Sequence, residues 1–187
     1  MTTESSTKLT YDDFLLLPDD GRRHEIIDGE HYVTPSPITK HQIISRNLEY
    51  LIFDFFQENP LGHIFHAPYD VVFSNTDIVE PDIIYVSRER VEIITEKNIQ
   101  GAPDLLVEIL SESTRKTDEI VKRKLYERFG VKEYWVIDPV LDSIKIYRRS
   151  AGSFERVAEL TLEIGDTLTT ALLPGFAAPL ARIFTAL

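Results

Sequence analysis

Two acidic residues are embedded in apolar surroundings that are typical of buried strands. Glu108 interrupts the apolar run 104–110, and Asp82 follows Pro81 at the start of a second apolar run. An ionised carboxylate buried without a partner is energetically costly, and a divalent cation or a lysine usually compensates it. Mg²⁺ is commonly held by one or two carboxylates together with several waters. The sequence therefore predicts that Asp82 and Glu108 are catalytic residues that share a Mg²⁺ or Mn²⁺ ion.

A lysine on the following segment is the candidate third member of this site. Residues 114–128 have the periodicity of a helix, which Gly130 would end. Because this helix directly follows the strand that carries Glu108, it can pack back and bring Lys122 to the two acids. Lys122 would then orient the attacking water or stabilise charge on a phosphate. Lys124 points about 200° further round an ideal helix and is not expected to share this role.

Two further residues are also candidates, each with a structural alternative. Glu25 precedes an Asp-Gly turn and could be an additional catalytic acid or ligand, although a salt bridge with Arg23 at the strand edge explains it nearly as well. His41 lies near the start of the longest predicted helix. It could bind a substrate phosphate, or it could serve as a capping partner at the helix N-terminus.

The chain alternates between helical and strand patterns, and its hairpins are antiparallel. Helices are predicted at 10–17, 38–58 and 114–128, strands at 63–66, 69–74, 78–86, 104–110 and 133–138, and hairpins around 28–29 and 151–152. This pattern predicts an α/β or α+β fold in which helices flank a mixed central sheet. No glycine-rich phosphate-binding motif is present in the sequence, which argues against a doubly wound nucleotide fold.

Length and composition indicate one globular domain. The 187 residues fit a single domain, 1–187, of which 1–9 are polar and predicted to be loose. There are no cysteines, which excludes disulfides and is compatible with a reducing compartment. No apolar run reaches the length of a membrane span and no secretory signal is recognisable, so we expect a cytoplasmic protein without a membrane partner.

The net charge of −11 is unusual for a protein that contacts nucleic acid. Phosphate contacts normally require a basic surface. One cluster of basic residues does occur, at Arg115, Lys116, Lys122, Arg123 and Lys124. It could form a local basic groove or simply the solvated face of a helix.

Several motifs together resemble the Uma-type endonuclease family, once classed as a domain of unknown function. The motifs are Pro81-Asp82, the segment 103–111, and the pattern Asp118-x-x-x-Lys122-x-x-x-Tyr126-x-x-x-Gly130-Val131, which continues to Pro139. The family belongs to the PD-(D/E)xK superfamily, so the resemblance implies a restriction-endonuclease-like fold with an acidic metal site. By that pattern Asp82 is the first acid and Glu108 the second.

One position departs from the superfamily pattern. The superfamily places a lysine two residues after the second acid, where this chain has Leu110. The resemblance implies that the lysine has moved to the following helix, as Lys122. Alternatively, an apolar residue at this position could mark an inactive site.

These observations lead to one main functional hypothesis and two alternatives. The main hypothesis is a Mg²⁺-dependent endonuclease that hydrolyses DNA phosphodiester bonds by activating a water molecule, and a homodimer is the assembly considered for it. The first alternative is an inactive nuclease fold that binds nucleic acid or a protein. The second is a hydrolase that uses a carboxylate pair, such as a glycosidase, which would need neither the metal nor the lysine.

Overall fold

The computed structural model of the protein describes residues 8–185. The helices are α1 (Tyr11–Phe14), α2 (Thr39–Glu58), α3 (Arg123–Phe129) and α4 (Leu180–Phe184). The strands are β1 (Arg23–Ile27), β2 (Glu30–Thr34), β3 (Gly62–His66), β4 (Val71–Ser74), β5 (Asp77–Val79), β6 (Ile83–Ser87), β7 (Ile99–Gln100), β8 (Leu105–Ile109), β9 (Glu133–Asp138), β10 (Ser143–Ser150), β11 (Ser153–Thr161), β12 (Thr167–Thr169) and β13 (Ala177–Pro179).

Two large sheets organise the chain. The central sheet has six strands in the order β11-β10-β9-β8-β6-β3, with β8 and β9 parallel and the other pairs antiparallel. The second sheet has five strands in the order β2-β1-β5-β4-β7. The predicted mixed sheet flanked by helices is thus confirmed, while the second sheet is an addition that the sequence did not indicate.

Pro81 explains why one predicted strand is in fact two. The sequence pattern suggested a continuous strand over 78–86, but β5 belongs to the second sheet and β6 to the central one. Proline has no N–H to donate to a ladder, so the chain leaves the first sheet there. The break places Asp82 at the junction between the two sheets.

The two faces of the central sheet are packed differently because side chains alternate along each strand. On β6, β8 and β9, odd-numbered residues such as Ile83, Val107 and Trp135 pack with α2 and the C-terminal segment. Even-numbered residues such as Leu106 and Val136 pack with α3 and the second sheet. Glu108 has the parity of the second group, which puts its side chain on the α3 side.

The segment before α3 is not an ordinary α-helix. Residues Thr117–Lys122 form a π-helical turn that continues directly into α3. Gly130 ends α3 with a φ of 88°, as its position in the sequence predicted. Turns of the π type are rare and often occur at functional sites, and this one carries the buried residues Asp118 and Lys122.

The chain around Leu9 is bonded to the turn between β1 and β2. Residues 1–7 of the predicted loose segment lie outside the described residues, whereas the backbone N–H of Leu9 donates to the carbonyl of Gly29 at 3.0 Å. Within residues 8–185, no helix is long and apolar enough to cross a membrane.

Candidate active site

A cavity of about 330 Å³ lies where the two sheets meet, and it contains all five residues singled out in the sequence. The five are Glu25 on β1, His41 in the first turn of α2, Asp82 before β6, Glu108 on β8 and Lys122 on the π-helical turn. Each of them is at most 7% exposed. Residues that are distant in sequence thus form one buried polar cluster.

Lys122 is surrounded by three carboxylates. Its Nζ lies 2.8 Å from Glu25 Oε1, 3.0 Å from Glu108 Oε1 and 3.5 Å from Asp118 Oδ1. Burial disfavours the ammonium ion, but the charges of Glu108, Glu25 and Asp118 outweigh it and raise the pKa of Lys122 well above its usual range. Lys122 is therefore protonated, and it acts as a fixed positive charge rather than as a base.

The π-helical turn aligns three residues of this cluster. In an α-helix, a spacing of four residues overshoots a full turn by about 40°, so side chains at positions i, i+4 and i+8 drift apart. A π turn takes more residues per turn and corrects this drift. Asp118, Lys122 and Tyr126, which are spaced by four, are all buried.

Glu108 is held on one of its two oxygens. Its Oε1 accepts from the hydroxyl of Tyr126 at 2.6 Å and from Lys122 at 3.0 Å. Within the described residues, Oε2 accepts no hydrogen bond. Burial raises the pKa of Glu108 well above its usual range, because the positive charge of Lys122 only partly offsets the loss of solvation.

Asp82 is the ionised acid of the site. Its Oδ2 accepts from the backbone N–H of Ile109 at 2.7 Å and lies 3.1 Å from His41 Nε2. Its Oδ1 lies 2.7 Å from Arg23 Nη1, although the orientation does not make a regular hydrogen bond. Burial opposes ionisation, but His41, Arg23 and the backbone N–H outweigh it and lower the pKa of Asp82 to about 2.

Glu25 and His41 also have defined partners. Glu25 Oε1 also accepts from the backbone N–H of Glu80 at 2.8 Å. The alternative of a salt bridge between Glu25 and Arg23 is wrong, since Arg23 pairs with Asp82 and Glu25 with Lys122. His41 must carry its proton on Nε2 to bond to Asp82, so it orients that acid.

Three residues of this cluster were not predicted from the sequence to belong to the site. Arg23, Asp118 and Tyr126 contact Asp82, Lys122 and Glu108, respectively. The spacing of four between Asp118, Lys122 and Tyr126 was visible in the sequence and could have grouped these residues. The partner of Arg23 was not visible, because the contact joins two different sheets.

The basic cluster at 115–124 does not form a continuous groove. Lys122 points inward, and Arg115 pairs with Asp138 at 2.6 Å. Lys116 and Lys124 are exposed to solvent. The cluster is therefore divided between the core, an ion pair and a solvated helix surface.

The oxygen donors of Asp82 and Glu108 suit a divalent cation, whose positive charge would favour the ionised form of Glu108 despite its burial. Four buried carboxylates, Glu25, Asp82, Glu108 and Asp118, face two permanent cations, Arg23 and Lys122. Asp82 and Glu108 line the same cavity: within residues 8–185 Glu108 Oε2 accepts no hydrogen bond, and Asp82 Oδ1 is held only by its ion pair with Arg23. Two carboxylates suffice for Mg²⁺, which retains water.

The cluster does not resemble a metal site built entirely from protein ligands. Within residues 8–185, no group of three or more His, Cys, Asp or Glu side chains is arranged to hold a metal ion. The Lys122 ammonium lies among the acids instead. Asp82 and Glu108 would therefore hold an ion together with water or substrate oxygens.

Solved structures with a similar fold were found by comparison. A structure described as a "putative nuclease belonging to DUF820" from Anabaena variabilis matches with a TM-score of 0.77 and 22% identity, covering 94% of this chain and 97% of its own. The type IIG restriction endonuclease BpuSI matches with a TM-score of 0.41 and 14% identity over 65% of this chain and 13% of its own, which is too weak to support an argument. No curated protein matches the chain.

The mixed sheet and its flanking helices define a restriction-endonuclease-like fold, as the resemblance implied. Residues 11–181 match the family profile Uma2, described as "Putative restriction endonuclease". The chain belongs to this family. The family and the similar structure support a nuclease-like function, for which nucleic acid is the corresponding substrate class.

Proposed function

We propose that the protein is a Mg²⁺-dependent endonuclease that hydrolyses phosphodiester bonds of DNA. The observation that carries this proposal is the cavity in which Asp82, Glu108 and Lys122 meet. Asp82 and Glu108 would hold the ion. When bound, Mg²⁺ supplies positive charge for a phosphoryl oxygen and lowers the pKa of a water molecule.

The chain's own residues prepare this chemistry. Asp82 is ionised, with its pKa lowered to about 2, so it is ready to bind a cation. Tyr126 and Lys122 hold Glu108 by Oε1. Lys122 remains protonated and provides fixed positive charge beside the acids, while Glu25 and Asp118 keep it in place.

Cleavage of plasmid DNA with Mg²⁺ or Mn²⁺ tests this proposal. We expect the wild type to cleave and Glu108→Gln to lose more than about 100-fold in rate, above the range for removing a partner of a metal ligand. Glu133→Gln is the matched control, because Glu133 is a buried acid on the neighbouring strand that does not line the cavity. Equal activity in the wild type and Glu108→Gln would contradict the catalytic assignment.

A second candidate function is an inactive nuclease fold that binds nucleic acid or a protein. The contacts of Lys122 favour it, since a lysine that neutralises three acids reduces their need for a metal. Calorimetry with Mn²⁺ separates the two functions. Metal uptake that Asp82→Asn or Glu108→Gln abolishes supports the enzyme, and the absence of uptake supports the binding function.

A further inference from the structure

Arg23 lies in the cavity wall with part of its guanidinium group unused. Its Nη1 lies 2.7 Å from Asp82 Oδ1 and donates to the carbonyl of Glu80 at 3.2 Å. Within residues 8–185, neither Nε nor Nη2 has a hydrogen-bond partner. The side chain is 21% exposed, so these donors are not sealed in the core.

Lys122, the other permanent cation in the cavity lining, differs in this respect. It is 4% exposed, and its ammonium is committed to Glu25, Glu108 and Asp118. Because Lys122 is buried among these three acids, a substrate has little access to it, whereas Arg23 has one bonded edge and one open edge.

We propose that Arg23 binds a phosphodiester group of DNA through the open edge of its guanidinium. The proposal rests on the proposed function. The planar guanidinium offers parallel donors that match two oxygens of one phosphate. Asp82 and the carbonyl of Glu80 fix Nη1, so the orientation of the open edge is set before the substrate arrives.

Binding of a short fluorescein-labelled DNA duplex, measured by anisotropy in EDTA at low salt, tests the proposal without cleavage. We expect Arg23→Gln to weaken binding about 10-fold, as for the loss of a charged hydrogen bond, and to reduce the slope of log K against log salt by about 0.9. Arg22→Gln is the matched control, because Arg22 is exposed and pairs with Asp20. Undetectable wild-type binding, or equal losses in the two variants, would overturn the proposal.

Repulsion between DNA and an unpaired Asp82 could also weaken binding, so a double variant is needed. In Arg23→Gln/Asp82→Asn the unpaired charge of Asp82 is gone. We expect its affinity to remain below that of the wild type, and full recovery would overturn the proposal. Arg23→Lys preserves the charge and protects the fold. Arg23→Lys should still bind DNA several-fold more weakly than the wild type, since lysine lacks the paired N–H donors of the guanidinium. Wild-type affinity in this variant would count against bidentate binding.

The outcome is distinct from that of the endonuclease test. If DNA binding depends on Arg23 but no cleavage occurs with Mg²⁺, this inference stands and the endonuclease proposal fails. If cleavage depends on Glu108 while Arg23→Gln binds like the wild type, the endonuclease proposal stands and this inference fails.

Discussion

Lys122 is the residue on which the charge balance of the site depends. Its ammonium is the shared partner of Glu25, Glu108 and Asp118. Removing one partner of a buried ion pair leaves an uncompensated charge. We expect Lys122→Met to lower the free energy of unfolding by about 3–5 kcal/mol in EDTA, measured by urea denaturation.

Two comparisons make this experiment specific. Lys124→Met, at an exposed position on the same helix, should change stability by no more than about 0.5 kcal/mol. Adding Glu108→Gln to Lys122→Met should recover part of the loss. A Lys122→Met protein as stable as the wild type would show that the carboxylates do not need this charge.

Asp70 provides a test of pH dependence outside the cavity lining. Burial, together with the charge of Glu25, raises the pKa of Asp70 from 3.8 to about 6. The folded state thus favours the protonated carboxyl group of Asp70. The stability that this protonation contributes is lost as the pH rises from 3.8 to about 6. We expect Asp70→Asn to be more stable than the wild type above that window.

The midpoint of urea unfolding, followed across this pH range, measures the effect. The advantage of Asp70→Asn should shrink as the pH falls below about 6. Asp54→Asn, at an exposed position on α2, is the control for exchanging an aspartate that lies outside the core. An identical pH profile in the wild type and Asp70→Asn would contradict the predicted effect.

The sequence revealed those site residues whose local surroundings were anomalous. Glu108 stood out because it interrupts an apolar run, and Asp82 because it follows a proline at the start of another. Arg23 did not stand out, because an arginine at the end of a strand is ordinary. Its importance comes from Asp82, 59 positions away, and only the packing of two sheets brings them together.

At the scale of elements, the β1–β2 hairpin sets the position of Arg23 and Glu25. The turn residues Asp28 and Gly29 have φ values of 53° and 78°, as expected for the Asp-Gly turn recognised in the sequence. A Cβ on Gly29 would lie 2.4 Å from Lys8 Cβ. Changes at this turn therefore affect the strand that carries two residues of the cavity.

We expect Gly29→Ala to lower both stability and DNA cleavage. The left-handed conformation alone costs a non-glycine residue about 1–2 kcal/mol, and the clash with Lys8 adds to it. Gly152→Ala is the matched control, since Gly152 has a φ of 95° in the β10–β11 hairpin with open space around it. Thermal unfolding and cleavage measured per folded molecule check this prediction.

Gly152→Ala should lose stability but keep its cleavage activity, because its hairpin is not part of the cavity. Equal losses of cleavage in both variants would indicate a general effect of unfolding. If neither variant lost cleavage, the β1–β2 hairpin would not be needed to place Arg23 and Glu25.

Elements with strong local signals could be predicted, and those that depend on distant partners could not. The long helix was expected at 38–58 and is observed at Thr39–Glu58 because its apolar stripe is regular. The two-residue strand β7 has too few residues for any periodicity. The π-helical turn was not predicted, because its sequence also fits an α-helix.

At the scale of the whole molecule, acidic charge and nucleic-acid binding must be reconciled. The net charge is −11, and the basic cluster of the sequence is divided between core, ion pair and solvent. A site built in this way relies on few cationic contacts inside the cavity, chiefly Arg23. The net negative charge disfavours long-range attraction of DNA to the molecule.

This arrangement predicts a weak dependence of DNA binding on salt. Each neutralised phosphate contributes about −0.9 to the slope of log K against log salt for duplex DNA. With Arg23 and at most one further contact, we expect a slope between about −1 and −2, measured by anisotropy in EDTA with the wild type. A slope of about −5 or steeper would require six or so phosphate contacts, and thus a basic surface that the division of the cluster at 115–124 argues against. A shallow slope would instead mean that recognition is concentrated at the junction of the two sheets, where Arg23 and the acids meet.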